Sequence, residues 1–316
     1  MKKILITGVA GFIGSNLLNE LLLESKNYKI IGIDNFSTGQ SKFINKFKKI
    51  KNFSLINEDL SNYKKINKYF KNIDTVFHLS ALADVRRSSH ERELHYKNNI
   101  LVTQNIIELC VRYKVKHILF TSTGSVYGNR KDKKPFGEND FFPIQNSFYA
   151  ASKLSSEALL TSLSFSHNIK ISIIRLVSVL GKNYTHGHLI DFVKKFKESS
   201  GSIKVLGNGY QTKSYVSVDD VIAAIKIIIE KQKSKCEIYN IGLNEVRNVK
   251  NSIKLIKKYF GFTNRVTYGK NKQGWIGDNP YILLDTKKIR KLGWKPKYNI
   301  NESILKTLDW LKEYTK

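Results

Sequence analysis

Short apolar runs alternate with amphipathic stretches through the first half of the chain. Residues 3–7, 30–34, 53–57, 75–79, 117–122 and 171–176 are rich in Ile, Val, Leu and Phe and are set off by Gly, Asn, Asp or Lys, the pattern of buried strands. Between them lie stretches of helical period, the first over residues 12–24. Strands apolar along their whole length and separated by helices predict a parallel sheet covered on both faces. The expected architecture is a doubly wound α/β domain over residues 1–176. Beyond residue 176 the pattern loosens: Gly181, Gly187, Gly201, Gly207 and Gly209 separate shorter elements, and two aromatic-tipped helical segments close the chain. Residues 177–316 are therefore expected to form mainly a smaller α/β substrate-binding lobe, with some segments returning to the first domain.

Composition narrows the class. Of 316 residues, 41% are hydrophobic and 11% aromatic, a globular profile. Nothing approaches the roughly 18 consecutive apolar residues of a membrane span. Gly8, Gly11 and Gly14 interrupt the apolar start before a signal peptide's core could form. The expectation is a cytoplasmic protein with no membrane partner. Cys110 and Cys236 are too few and too isolated for a disulfide framework and read as small core residues. The formal charge of +28 is spread along the whole chain rather than gathered in a basic block. It predicts attraction for anions, phosphate esters included, and no specific nucleic-acid site.

Two constellations carry chemistry. Gly8, Gly11 and Gly14 follow the first strand and open the first helix, where glycine allows a tight turn and close approach to a pyrophosphate at the helix N-terminus. An ordinary strand–helix turn would read similarly, but Asp34 ends the second strand twenty residues after Gly14. A carboxylate there accepts ribose hydroxyls and repels a 2′-phosphate, which favours NAD over NADP. Asp59 and Leu60, after the third strand, could flank the adenine, or Asp59 could cap a helix. In the second constellation Tyr149 and Lys153 lie four residues apart on a helical stretch and so share a face. The lysine ammonium, helped by the positive charge of the nicotinamide, is expected to bring the phenol towards its working range. Strand 117–122 leads into the hydroxyl cluster Thr121, Ser122, Thr123 and Ser125 at the carboxyl edge of the sheet, and Thr123 could bond the oxygen that Tyr149 deprotonates.

With these motifs stand His78-Leu79-Ser80-Ala81, Asn98-Asn99, Gly207-Asn208-Gly209, Lys213-Ser214-Tyr215, Tyr239-Asn240-Ile241-Gly242, Gly277-Asp278 and Leu292-Gly293-Trp294-Lys295-Pro296. In that order they resemble the extended short-chain dehydrogenase/reductases of the nucleotide-sugar epimerase/dehydratase group, nearly end to end. The resemblance implies a Rossmann domain holding NAD through Gly8, Gly11, Phe12, Ile13, Gly14, Asp34, Asn35, Asp59, Leu60, Leu79, Ser80, Ala81, Asn99, Ser122, Tyr149 and Lys153. Tyr149, Lys153 and Thr123 are the implied catalytic residues. Thr123, Ser125, Tyr149, Ser178, His188, Lys213, Trp275 and Asp278 are the implied substrate contacts.

Within that group, 4,6-dehydratases carry Asp-Glu after the threonine, whereas this chain has Gly124-Ser125. The Trp275 and His186–His188 segments are similar to a branch of compact UDP-galactose 4-epimerases. The implied activity is 4-epimerisation of a UDP-sugar: oxidation at C4, rotation of the 4-keto sugar, and return of hydride to the opposite face. A 4-ketoreductase or 4-dehydrogenase on the same substrates is the alternative within the group, and a non-catalytic NAD-binding sensor the alternative outside it. Departures from the group's pattern are Ser178 for a substrate-touching asparagine, Lys213 for a phosphate-binding arginine, and Trp275 for an arginine. Trp275 either stacks on a base or packs in the core. His186 and His188 have no third ligand at metal-binding spacing, so no metal is expected. Segments 91–113 and 149–167 correspond to the helices that pair relatives into homodimers.

Overall fold

Strand β1 (Lys2–Thr7) is the hinge of the topology in the computed structural model, which describes residues 1–24, 27–86, 88–130, 132–140, 144–272, 279 and 281–315. From β1 the chain steps outward through β2 (Tyr28–Asp34) and β3 (Phe53–Asn57), then returns to the other side of β1 as β4 (Thr75–His78). It continues through β5 (His117–Thr123) and β6 (Lys170–Leu176). The remaining strands are β7 (Ser178–Leu180), β8 (Ser202–Val205), β9 (Thr212–Lys213), β10 (Tyr215–Ser217), β11 (Cys236–Ile241), β12 (Arg247–Asn248), β13 (Arg265–Tyr268) and β14 (Tyr281–Ile282). β11 joins the main sheet beside β6, so the order is β11-β6-β5-β4-β1-β2-β3 with every pair parallel. The direction of winding reverses at β1 and β4, and a ligand crevice opens at the carboxyl ends of strands at such a point.

The helices are α1 (Phe12–Glu24), α2 (Ser41–Ile44), α3 (Tyr63–Ile66), α4 (Arg92–His95), α5 (Val102–Arg112) and α6 (Phe148–Ser166). They continue with α7 (His188–Glu198), α8 (Val218–Lys231), α9 (Val249–Phe260), α10 (Lys287–Lys291) and α11 (Ile300–Tyr314). On one face of the sheet α1 and α8 bury Leu17, Leu18, Leu21, Val221, Ile225 and Ile228. On the other, α5 and α6 bury Ile106, Leu109, Cys110, Leu160 and Leu163. Because both faces are covered, the strands carry unbroken apolar runs rather than alternation. A third cluster around Phe192, Phe196, Ile253, Ile304 and Leu308 forms a lobe from α7, α9 and α11. Its strands pair β10 with β7, β13 with β8, and β9 with both β12 and β14. Cys110 is buried as expected for a core residue, whereas Cys236 is half-buried at the start of β11.

Trp294 fastens the C-terminal segment to the Rossmann face. The indole is fully buried and its Nε1 donates to the Asp220 carbonyl at 2.9 Å. The Asp220 carboxylate accepts the Lys297 and Tyr298 amides at 2.7 and 3.3 Å. Trp294→Ala leaves a large cavity and removes the indole's bond to the helix, and is expected to cost about 3–5 kcal/mol. Urea unfolding measures it; a loss under about 1 kcal/mol would mean that this segment is not fastened through the indole.

Candidate active site at the carboxyl edge of the sheet

The glycine loop leaves β1 as a tight turn. Gly8 has φ +68°, and a Cβ there would lie 2.8 Å from the Ser80 Cα, while one on Gly14 would lie 2.2 Å from the Gly8 carbonyl oxygen. These positions accept no side chain, which brings the loop against the end of β4. Asp34 is buried, and its oxygens accept the Ala10 and Phe36 amides at 2.8 Å each. Burial raises its pKa, with the two amides pulling the other way. The carboxylate thus ties the glycine loop to the end of β2, and its remaining lone pairs are available to hydroxyls. Gly39 stands against it: a Cβ there would fall 2.7 Å from Asp34 Oδ1.

The other expected cofactor contacts border the same crevice or its walls. Phe12 and Ile13 open α1, and Asn35 follows β2, where its Oδ1 accepts the Ser37 amide at 3.1 Å. Asp59 accepts the Ser61 amide at 2.8 Å and faces Lys97 at 3.8 Å. Burial works against its charge, but Ser61, Lys97 and Asn35 outweigh it and hold the carboxyl below its usual range. Asn62, not Asp59, caps α3. Leu60 is buried in the core under α5. Leu79, Ser80 and Ala81 continue from β4, with the Leu79 and Ser80 amides donating to Thr7 Oγ1 at 3.1 and 3.2 Å. Asn99 clamps the following loop, exchanging hydrogen bonds with the Leu82 amide (2.8 Å) and carbonyl (3.1 Å), and also donates to Ser152 Oγ at 2.8 Å. The Ser122 hydroxyl donates to Glu157, so its side chain turns into the protein.

Tyr149, Lys153 and Glu157 succeed one another on one face of α6, a helix capped by the Ser147 hydroxyl. All three are buried. The Thr123 side chain lies close enough to the Tyr149 phenol to favour its ionisation, and its Oγ1 accepts the Ser125 amide at 3.1 Å. Burial pushes Tyr149 up to about 12, with Thr123 opposing. In the chain by itself desolvation thus dominates at Tyr149, whereas the expected lowering counts on the ammonium together with the nicotinamide charge. Burial also pushes the Lys153 amine down to about 7, against the pull of Glu157. The amine lies 4.2 Å from the centre of the Phe120 ring.

Glu157 went unread in the sequence although it continues the four-residue spacing from Lys153. Its carboxylate takes Arg175 Nε at 3.1 and 3.2 Å and Nη2 at 2.7 Å. Arg175 in turn lies 4.7 Å from the centre of the Tyr127 ring and donates to the Glu138 carbonyl.

The expected substrate contacts divide. Ser125 adjoins Thr123. Ser178 on β7 pairs in register with Tyr215 on β10, and the His188 ring lies 5.4 Å from that of Tyr215. Burial, and then Lys213, push His188 down to about 3, so it is neutral at ordinary pH. Lys213 is on β9. Trp275 and Asp278 lie outside the described residues. His186 stacks on Tyr184 at 6.5 Å near Asp84, Arg86 and Asp191, and Arg86 pairs with Asp191 at 2.8 Å. Among the described residues no group of three His, Cys, Asp or Glu side chains could hold a metal.

A glycine cradle, a buried carboxylate on β2 and a tyrosine–lysine pair facing one crevice are the donor set that a dinucleotide and an oxidisable alcohol require. The comparisons agree. A putative UDP-glucose 4-epimerase of Methanocaldococcus jannaschii is 32% identical over 98% of both chains. A UDP-glucuronate 4-epimerase of Thermodesulfobacterium geofontis is 30% identical over 98% of this chain and 96% of its own. The crystal structure of UDP-glucuronic acid 4-epimerase from Bacillus cereus, solved with UDP-glucuronic acid and NAD, superposes with a TM-score of 0.89 at 28% identity, covering 99% of both chains. Residues 4–242 match the sequence model of NAD-dependent epimerases and dehydratases, and the chain belongs to the NAD dependent epimerase/dehydratase family.

Proposed function

We propose that the protein is a nucleotide-sugar 4-epimerase, acting on a UDP-hexose by transient oxidation at C4. The observation that carries this reading is the end of β5. Thr123 there adjoins the Tyr149 phenol, and the next two residues, Gly124 and Ser125, supply neither acid nor base for elimination. A Cβ on Gly124 would already meet Ile282 and Leu284 at 3.3 Å, which leaves little room for a carboxylate side chain. Dehydration needs an additional proton donor and acceptor at the sugar, whereas epimerisation needs only hydride transfer and one proton carrier.

Tyr149 is that carrier. It removes the 4-hydroxyl proton as C4 is oxidised and restores it after the 4-keto sugar has turned its other face. Thr123 donates to the 4-oxygen and holds it beside the phenol. NAD, when bound, supplies the hydride acceptor at C4, the returning hydride, and a positive charge beside the phenol. The residues that would hold it are Gly8, Gly11, Phe12, Ile13, Gly14, Asp34, Asn35, Leu79, Ser80, Ala81 and Lys153. Lys153, when protonated, favours the phenolate. The substrate contacts are proposed as Ser125, Ser178, His188 and Lys213, with Trp275 and Asp278. The protein is proposed to act in the cytoplasm, where its two free cysteines persist as thiols. Among the described residues no helix is long and apolar enough to cross a membrane.

We also propose a homodimer through α4–α5 and α6. Its support is the apolar surface on these helices, where Leu94, Tyr96, Phe148 and Phe165 are exposed. Sedimentation is expected to give twice the chain mass, and Leu94→Glu with Phe165→Glu to give the monomer.

The direct test is incubation with UDP-glucose, UDP-galactose, UDP-glucuronate and the N-acetylated sugars, with no added cofactor. Interconversion at C4 is expected for one pair, and Tyr149→Phe is expected to abolish it while retaining NAD. Net consumption or release of reduced cofactor would instead make the protein a one-way oxidoreductase.

Lys153 gives a test without substrate. Its folded pKa of about 7 lies below the ordinary 10.5, so the native state releases the proton first as pH rises. Between those values the unfolded chain binds more protons, and stability rises with pH by up to about 1.4 kcal/mol per unit. That contribution is lost as pH falls through about 7. Urea unfolding from pH 7 to 10 should give this slope in the native protein, and Lys153→Met should lose it. An unchanged slope would mean that the amine is not desolvated.

A further inference from the structure

We infer that Arg247 is a second cation of the substrate's diphosphate site, set opposite Lys213. The inference rests on the nucleotide-sugar reading above and assigns it a residue outside the expected contacts. Strands β9 and β12 are antiparallel, with Lys213 directly opposite Arg247 and Thr212 opposite Asn248. Residues directly opposed in such a pair send their side chains to the same face, about 5 Å apart at Cβ. Like charges in that arrangement repel. An anion held between them reverses the sign of the interaction.

The local chemistry agrees. Arg247 is half-buried, and its Nε is shut away from solvent without a hydrogen-bond partner among the described residues. One arm of the guanidinium, Nη1, donates to the Asn301 side chain at the start of α11, which orients the fork. Glu245, the nearby carboxylate, accepts the Ile300 amide at 3.3 Å. Burial holds the guanidinium below its ordinary range, with Tyr215 and Glu245 opposing the shift. Tyr215 contacts His188 on its other side, with the hydroxyl 3.5 Å from Nε2. His188 also feels the charge of Lys213. Lys213, Tyr215 and Arg247 are thus neighbours, with a neutral histidine beside Tyr215. Lys213 offers a point charge, and Arg247 adds the planar fork that a phosphate takes in two-point contact.

The reaction makes this grip necessary. A 4-keto sugar that turns over between two hydride transfers must leave its own contacts, so the diphosphate has to stay anchored meanwhile. The test measures binding of UDP and of inorganic pyrophosphate to the NAD-loaded protein by calorimetry. Arg247→Gln is expected to weaken both by about 10- to 100-fold, the loss of a charge-assisted pair. Arg247→Lys should recover part of the affinity. Asn301→Ala keeps the cation while removing its protein partner and is expected to change binding less than about threefold. Unchanged affinity in Arg247→Gln would overturn the inference. So would an equal loss in Asn301→Ala, which marks a structural role, or no binding of either probe to the unaltered protein. Normal binding and normal sensitivity to Arg247→Gln, with no sugar epimerised, would overturn the 4-epimerase reading and leave this site standing.

Discussion

Lys153 brings an amine into a position 3% exposed to solvent, and much of the surrounding structure answers the cost of doing so. An ammonium moved out of water loses hydration that no single contact replaces. Here the Phe120 ring lies beneath the amine, and the Glu157 carboxylate favours its charge from one turn further along α6. Glu157 is itself neutralised by Arg175 from β6 and bonded by Ser122 from β5. The arrangement therefore joins two adjacent strands of the sheet to the helix that carries Tyr149. A buried pair of this kind adds little net stability over apolar packing, yet leaves an uncompensated charge if one partner is lost. Its consequence is positional: α6 is held to the sheet with Tyr149 facing the hydroxyl of Thr123.

A second polar seam holds α6 from its other side. His95, Asn99 and Thr103 face Tyr149, Ser152 and Ser156, through a ring contact of 6.1 Å and hydrogen bonds of 2.8 and 3.1 Å. The π turn over Tyr96–Leu101 presents the Asn99 carbonyl to both Thr103 and Ser156. Thr103 also meets His78 at 3.0 Å, and His78 meets Thr7 at 3.0 Å at the root of the glycine loop. Burial keeps His78 neutral, so it links two hydroxyls without adding charge. The dinucleotide loop and the catalytic helix are thus connected through buried hydrogen bonds, whose partial loss costs more than their presence contributes.

How much of this is legible in the sequence depends on periodicity. The strands of the parallel sheet are apolar on both faces, so their positions can be read from composition alone, and β5 runs only one residue past its expected end. β11 hides because Glu237, Tyr239 and Asn240 interrupt its apolar run. Asn240 is polar for a local reason: it bonds Tyr127 and the Phe136 carbonyl within the core. The lobe beyond β6 contains strands of two to four residues, too short to generate a period. At the site, the i,i+4 spacing of Tyr149 and Lys153 is readable, and Glu157 was readable by the same rule. The direction of the Tyr149 shift was not, because spacing reports proximity along a helix and says nothing of burial. Nor does a carboxylate at the end of β2 declare that it will first tie down the Ala10 amide.

The charge of +28 raises the question of how a specific anion site can exist on a surface rich in cations. Distance and solvent decide it. Fields from exposed lysines are screened within about 8 Å at physiological salt, so they raise the rate of encounter with an anionic sugar nucleotide more than its affinity. Affinity comes from cations that are partly desolvated and already oriented. Lys213 and Arg247 are both half-buried, and the guanidinium is held by Asn301 before any ligand arrives. Two cations on one face of a strand pair are unfavourable by themselves, and a diphosphate bound between them offsets that. A buried cation also stands at Lys153, where desolvation opposes the charge and the Glu157 carboxylate favours it. In both places the cost of desolvating a cation is met in folding, so the interaction it later makes needs little reorganisation.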